Sequence, residues 1–143
     1  MFAQISWKGK LAFEGKTESG HSVLTDTKPE SGGENRGPRP MELVMVALGG
    51  CTGIDVVSIL KKMRVNLESM TINIDSERAP EHPKVFTKIN LEYNFTGRNI
   101  KEEDVKRAIE LSQQKYCSVS AMLKETAEIT YKWNIFNRSD FNT

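Results

Sequence analysis

Only two cysteines occur in the 143 residues, Cys51 and Cys117. A disulfide-dense secreted scaffold is thereby excluded. No excess charge of either sign exists: 20 basic residues stand against 19 acidic ones, a net charge of +1. Such a chain has no strong field with which to hold nucleic acid or an anionic membrane, and neither is expected as a partner. Long hydrophobic runs are missing too. The longest uncharged apolar stretch, Leu43 to Ile54, is twelve residues and is closed by Asp55. A membrane span needs roughly 20, so this stretch is expected to be a buried core helix. Met1 to Lys8 lacks a basic stretch followed by an apolar run, and no signal peptide is expected. No internal repeat and no low-complexity segment is present. What is there is an ordinary globular mix, 38% hydrophobic and 27% charged, sized for one domain spanning 1–143. A cytoplasmic location is the default expectation, where thiols stay reduced and cysteine serves redox or metal chemistry rather than a permanent cross-link.

Patterning gives the order of elements. Residues 2–26 are expected to form three short strands, with Gly9 and Gly20 in the turns. Residues 27–39, carrying Pro29, Gly32, Gly33, Gly37 and Pro38, are expected to be a long structureless loop, functional or simply flexible. Pro40 suits the first turn of a helix running to about Lys62. That helix is apolar nearly all round, so both sides need cover, and one small chain supplies only one. A two-fold homodimer is the simplest answer. Gly49, Gly50 and Gly53 each cost about 1 kcal/mol in a helix interior. Close packing beside Cys51 would offset that. Two strands follow in 67–96, with Val85, Thr87, Ile89, Leu91, Tyr93 and Phe95 alternating against polar neighbours. Asn99 is the expected cap of a second helix whose buried face holds Val105, Ala108, Ile109, Ser112 and Tyr116. A short helix over 118–124 and a last strand with Ile129, Tyr131, Trp133 and Ile135 complete the chain. Trp7 and Trp133 are expected in the core. Strands separated from helices point to an α+β fold with antiparallel sheets and two main helices.

The chemistry rests on the cysteines. Both could be small core hydrophobes. Position argues for more. Cys117 lies where one helix ends and another begins, and a helix N-terminus lowers a thiol pKa. Cys51 has glycine neighbours that leave space for a small substrate or a second sulfur.

These residues resemble a known family. Pro40-Met-Glu42-Leu43, then Gly49-Gly50-Cys51, then Tyr116-Cys117-Ser118-Val119-Ser120, with the cysteines 66 positions apart, are similar to the OsmC/Ohr proteins, the osmotically inducible and organic hydroperoxide resistance proteins. The likeness covers nearly the whole chain and is strongest to the less characterised OsmC-like branch, which keeps both cysteines. It implies an intertwined homodimer with the long apolar helix central and the site at the subunit interface. It also implies a thiol-dependent peroxidase for organic hydroperoxides that uses no cofactor and no metal. Cys51 would attack the peroxide and become a sulfenic acid; Cys117 would condense with it to a disulfide; a lipoyl-type dithiol would restore both.

The sequence departs from the hydroperoxide-resistance pattern at the supporting residues. Those enzymes pair the reactive cysteine with an N-terminal arginine, yet residues 1–35 contain none. The first arginines are Arg36 and Arg39 in the loop. The family's glutamate position falls on Met41, with Glu42 one place later. Glu42 and Cys51 would face opposite sides of a regular helix, so Glu42 supports a thiol only across the dimer or from a bent helix start, or serves as a negative charge at the helix N-terminus. Asp55 lies one turn after Cys51, where a carboxylate raises a thiol pKa unless Arg36, Arg39 or a lysine pairs with both. An alternative therefore stands beside the peroxidase: an OsmC-like homodimer without efficient turnover, acting as a thiol redox sensor or a small-molecule binding protein. His21 and His82 have no metal spacing with the cysteines. Zinc would need the fold to converge Cys51, Cys117 and a histidine.

Overall fold

The computed structural model describes residues 1–139. The chain divides into two compact units, Met1–Val46 and Ala47–Thr143. In the first, β1 (Ala3–Trp7), β2 (Phe13–Thr17) and β3 (Ser22–Thr25) form an antiparallel meander. Gly9 and Gly20 turn it at φ of +93° and +88°, a region glycine enters without a Cβ penalty. The segment after β3 is not structureless. Buried Asp26 accepts hydrogen bonds from the backbone N–H groups of Thr27, Glu34 and Arg36, and a 3-10 turn occupies Pro29–Ser31. One carboxylate thus gathers three amides that would otherwise need water. Trp7 is two-thirds exposed rather than in the core, its Nε1 donating to the Lys10 carbonyl at 2.8 Å.

Helix α1 spans Pro40–Lys62. By length and composition alone it could cross a membrane. One face, however, packs on protein: Leu48, Thr52, Val56 and Leu60 recur every four residues and are fully buried. Val46, Ile54 and Val57 on other faces stay exposed. A Cβ at Gly49 would meet Ile74 at 3.2 Å and one at Gly53 would meet Ile72 at 3.4 Å, so these two glycines admit close packing against the next strand. Gly50 has open space and is explained by no such contact.

The second unit's sheet has order β4-β5-β6, with β4 at Asn66–Arg78, β5 at Phe86–Arg98 and β6 at Glu128–Asn137. Central β5 buries Ile89, Leu91, Tyr93 and Phe95 and turns the alternate side chains outward, as its pattern requires. Phase is lost at its start. A register shift between Glu77 and Arg78 leaves Thr87 unpaired and brings Phe86, not Val85 or Thr87, to the core. The sheet is mixed rather than wholly antiparallel: β5 and β6 run parallel, which a helical crossover makes possible. That crossover holds α2 (Glu102–Leu111), a π turn (Ser112–Tyr116) and α3 (Ser118–Leu123). Lys101, not Asn99, takes the N-cap position of α2; Asn99 sits in the turn before it at φ +52°. The architecture is α+β, as the element order indicated.

Candidate functional site

The π turn sets the site. It inserts one residue into the helical phase, so the face that begins with Val105, Ala108 and Ile109 continues through Ser112 and Gln113, both buried. Tyr116, expected inward, is half exposed, with Lys115 Nζ 5.2 Å from its ring. The same turn fixes Cys117, whose N–H donates to the Ser112 carbonyl at 2.8 Å before α3 starts.

Cys51, Asp55 and Cys117 converge. The two sulfurs and an Asp55 carboxylate oxygen all lie within 4.8 Å of one another. Cys51 and Asp55 share a face of α1 by their four-residue spacing. Both thiols are free; Cys51 is partly exposed and Cys117 is buried. The N-cap of α3 is Cys117 itself, its Sγ accepting from the Ser120 N–H at 3.4 Å. A lowered thiol pKa does not follow. Burial, the largest influence, pushes the Cys117 thiol up; Ser120 pulls it down, and the hydrogen bond and charge of Cys51 push it up again. Desolvation outweighs a six-residue helix terminus.

A buried polar network backs the three groups, and sequence reasoning missed it. Ser112 Oγ donates to Asp55 Oδ2 at 2.9 Å. Thr52 Oγ1 lies 2.7 Å from both Ser112 Oγ and Tyr93 Oη. Gln113 Nε2 donates to Thr52 Oγ1 and Tyr93 Oη at 3.2 Å each, and its Oε1 accepts from Ser120 Oγ at 3.0 Å. Lys124 Nζ donates to the Gln113 carbonyl. Each hydroxyl has one proton. Ser112 gives its proton to the carboxylate, so it accepts from Thr52; Thr52 then accepts from Tyr93. The chain Tyr93 to Thr52 to Ser112 to Asp55 runs one way, and through Gln113 and Ser120 it closes back on Cys117. Burial, its largest influence, raises the Tyr93 hydroxyl to about 12, against the lowering bonds of Thr52 and Gln113. Tyr93 therefore keeps its proton at neutral pH. The available signal was Thr52 and Ser112, two hydroxyls on otherwise apolar faces.

The other candidates lie in the first unit and have local partners. Glu42 Oε1 accepts from the Arg39 N–H at 2.8 Å, a cap at the start of α1. Arg39 Nη1 donates to Asn35 Oδ1 at 2.8 Å and to the Gly37 carbonyl at 3.0 Å. Arg36 Nη1 donates to the Lys8 carbonyl at 3.3 Å. Among the described residues, no histidine joins a group of potential metal ligands. Asp55 also lines a recess of about 160 Å³ with Ser58, Ile59, Lys62 and Tyr116. A larger cavity of about 450 Å³ lies on the sheet among Asp75, Glu77, Lys88 and Glu128, and no thiol lines it.

The chain has relatives across nearly its whole length. Residues 32–132 match the family model described as OsmC-like protein. Protein YhfA of Escherichia coli is 44% identical over 135 residues, 94% of this chain and 98% of YhfA. A crystal structure of a hypothetical protein from Aquifex aeolicus is 30% identical with a TM-score of 0.85, covering 96% of this chain and 97% of that one. An organic hydroperoxide resistance protein OsmC from Legionella pneumophila shares the fold at 14% identity, TM-score 0.70, over 94% of this chain and 97% of that one. On the family match and the relatives at 30% identity and above, the chain belongs to the OsmC-like protein family.

Proposed function

We propose that this protein is a thiol-dependent peroxidase that reduces organic hydroperoxides, with Cys51 as the attacking sulfur and Cys117 as the resolving one. The observation that carries the reading is the contact between a partly exposed and a buried thiol. An attacking sulfur must meet a substrate; a resolving sulfur must hold its proton until needed. The Cys51 thiolate attacks one peroxide oxygen and the O–O bond breaks. The alkoxide leaves as alcohol, taking a proton that the high-pKa Cys117 thiol supplies. The resulting Cys117 thiolate attacks the Cys51 sulfenic acid, expelling hydroxide, which takes up the proton released when Cys51 ionised. A dithiol of lipoyl type then reduces the disulfide. A reducing cytoplasm suits two thiols kept free between turnovers. A second copy of the chain would cover Val46, Ile54 and Val57, the exposed apolar positions of α1.

The Asp55 carboxylate favours a second reading. A carboxylate within 4.8 Å of both sulfurs offers them no positive partner of the kind a reactive thiolate uses, which suits a slow redox sensor better than a fast enzyme. Stopped-flow oxidation by a small alkyl hydroperoxide at neutral pH, followed by non-reducing mass spectrometry, separates the two. The expected result is rapid formation of one Cys51–Cys117 disulfide, blocked at the first step by Cys51→Ser and halted at the sulfenic acid by Cys117→Ser. Oxidation no faster than that of free cysteine would overturn the peroxidase.

A further inference from the structure

We propose that the reduced protein binds one zinc-like divalent cation per chain through Cys51 Sγ, Cys117 Sγ and an Asp55 carboxylate oxygen. The proposal does not depend on the peroxidase reading. It starts from convergence: two segments distant in sequence bring two sulfurs and an oxygen within 4.8 Å of one another. A tetrahedral ion with metal–sulfur bonds of about 2.3 Å holds its sulfurs roughly 3.8 Å apart. The two sulfurs therefore need to close by about 1 Å at most, and the carboxylate oxygen by slightly more, within the reach of side-chain rotation. Asp55 stands where a histidine would otherwise be required.

Donor chemistry selects the ion. Two thiolates with one carboxylate suit zinc or cadmium and disfavour magnesium or calcium, which take oxygen ligands. Charge points the same way. With both thiols ionised, the cluster would carry three negative charges in a half-buried place. A dication offsets them, and displaces one proton from each thiol on binding.

The outer contacts are those that metal ligands require. Ser112 orients the Asp55 carboxylate, and its own direction is fixed by Thr52 and Tyr93. The Ser120 N–H holds Cys117 Sγ. Such second contacts fix ligand geometry and are worth about 10–100-fold in metal affinity. Asp55 also borders the 160 Å³ recess, and water would complete the fourth position of a tetrahedral ion.

The test is anaerobic titration of the reduced full-length protein with cadmium at pH 6, below the ordinary thiol range, read by thiolate-to-metal charge-transfer absorption, with a pH indicator counting protons. One cadmium per chain and two protons per ion are expected, with zinc displacing cadmium and bleaching the band. Asp55→Asn should keep the band and weaken binding by about 10-fold or more, since it keeps shape but loses charge. Cys51→Ser and Cys117→Ser should each lose half the band intensity per ion. Absence of a saturable band, a count other than two protons, or unchanged affinity in Asp55→Asn would overturn the proposal. The proton count needs no substitution, so it stands even if a variant misfolds. A failed peroxidase assay leaves these outcomes unaffected.

Discussion

Thr52 is the hub of the buried network, and removing its hydroxyl gives the sharpest check on the assigned hydrogen-bond directions. Its oxygen accepts from Tyr93 and Gln113 and donates to Ser112, using its full capacity. Thr52→Val keeps the shape. Gln113 Nε2 then retains Tyr93 Oη, and Ser112 retains Asp55. The Tyr93 O–H is left with no acceptor in a fully buried place. An orphaned buried donor costs about 1–3 kcal/mol, so a loss of about 2 kcal/mol is expected. Tyr93→Phe alone should cost about 1 kcal/mol, the ordinary value of a net hydrogen bond. The double variant is the decisive one. The cycle is run in a Gln113→Leu background, because the double variant would otherwise strip both acceptors from Gln113 Nε2. There, once the Tyr93 hydroxyl is gone, Thr52→Val orphans no donor, and the combined loss should fall short of the sum by about 1 kcal/mol or more. Urea unfolding midpoints of the four proteins measure this. Losses that add to within about 0.5 kcal/mol would mean that Tyr93 does not donate to Thr52. Thr52→Ser is the control: it keeps the hydroxyl and loses one methyl group, worth about 1 kcal/mol.

Two further outcomes follow from the same structure. The Tyr93 hydroxyl, raised from 10.0 to about 12, binds its proton more tightly in the folded state. Stability should therefore be unaffected by this group below pH 10 and fall as pH rises from 10 to 12, by about 3 kcal/mol in all. Denaturant melts across that range should show the extra fall in the wild type and not in Tyr93→Phe; parallel curves would refute it. On α1, Ile54 is 71% exposed and apolar. If a second copy covers it, Ile54→Glu should convert a dimer to monomer by size-exclusion chromatography with the circular dichroism unchanged, whereas an unaltered elution volume would place the contact elsewhere.

Much of the fold was legible because apolar patterning is a local signal. Pro40 and the continuous apolar run mark α1 across its full length, and the alternation from Ile89 to Phe95 marks the strand that runs through the core. The failures share one cause. Each depends on a single inserted residue or on a partner distant in sequence. The π turn at Ser112–Tyr116 shifts phase by one, which turns Gln113 in and Tyr116 out while leaving the composition of the helix ordinary. The bulge opposite Glu77 does the same to Phe86. Parallel pairing of β5 with β6 is invisible in either strand alone, since both alternate as antiparallel strands do.

The site divides along the same line. Cys51 and Cys117 stood out by type and neighbours, but their meeting rests on where the π turn sets Cys117. That turn also explains why Asp55 belongs with the thiols rather than against them. A carboxylate beside a sulfur is unfavourable to a thiolate taken alone. Here the carboxylate is held by Ser112, Ser112 is held by Thr52 and by the backbone N–H of Cys117, and Thr52 is held by Tyr93. Buried hydroxyls in such a chain cost free energy unless every proton has an acceptor. The chain ends on an Asp55 carboxyl oxygen as its final acceptor. Asp55 is thus the end that orders the network, and its carboxylate stands beside the two sulfurs that the proposed cation would bridge.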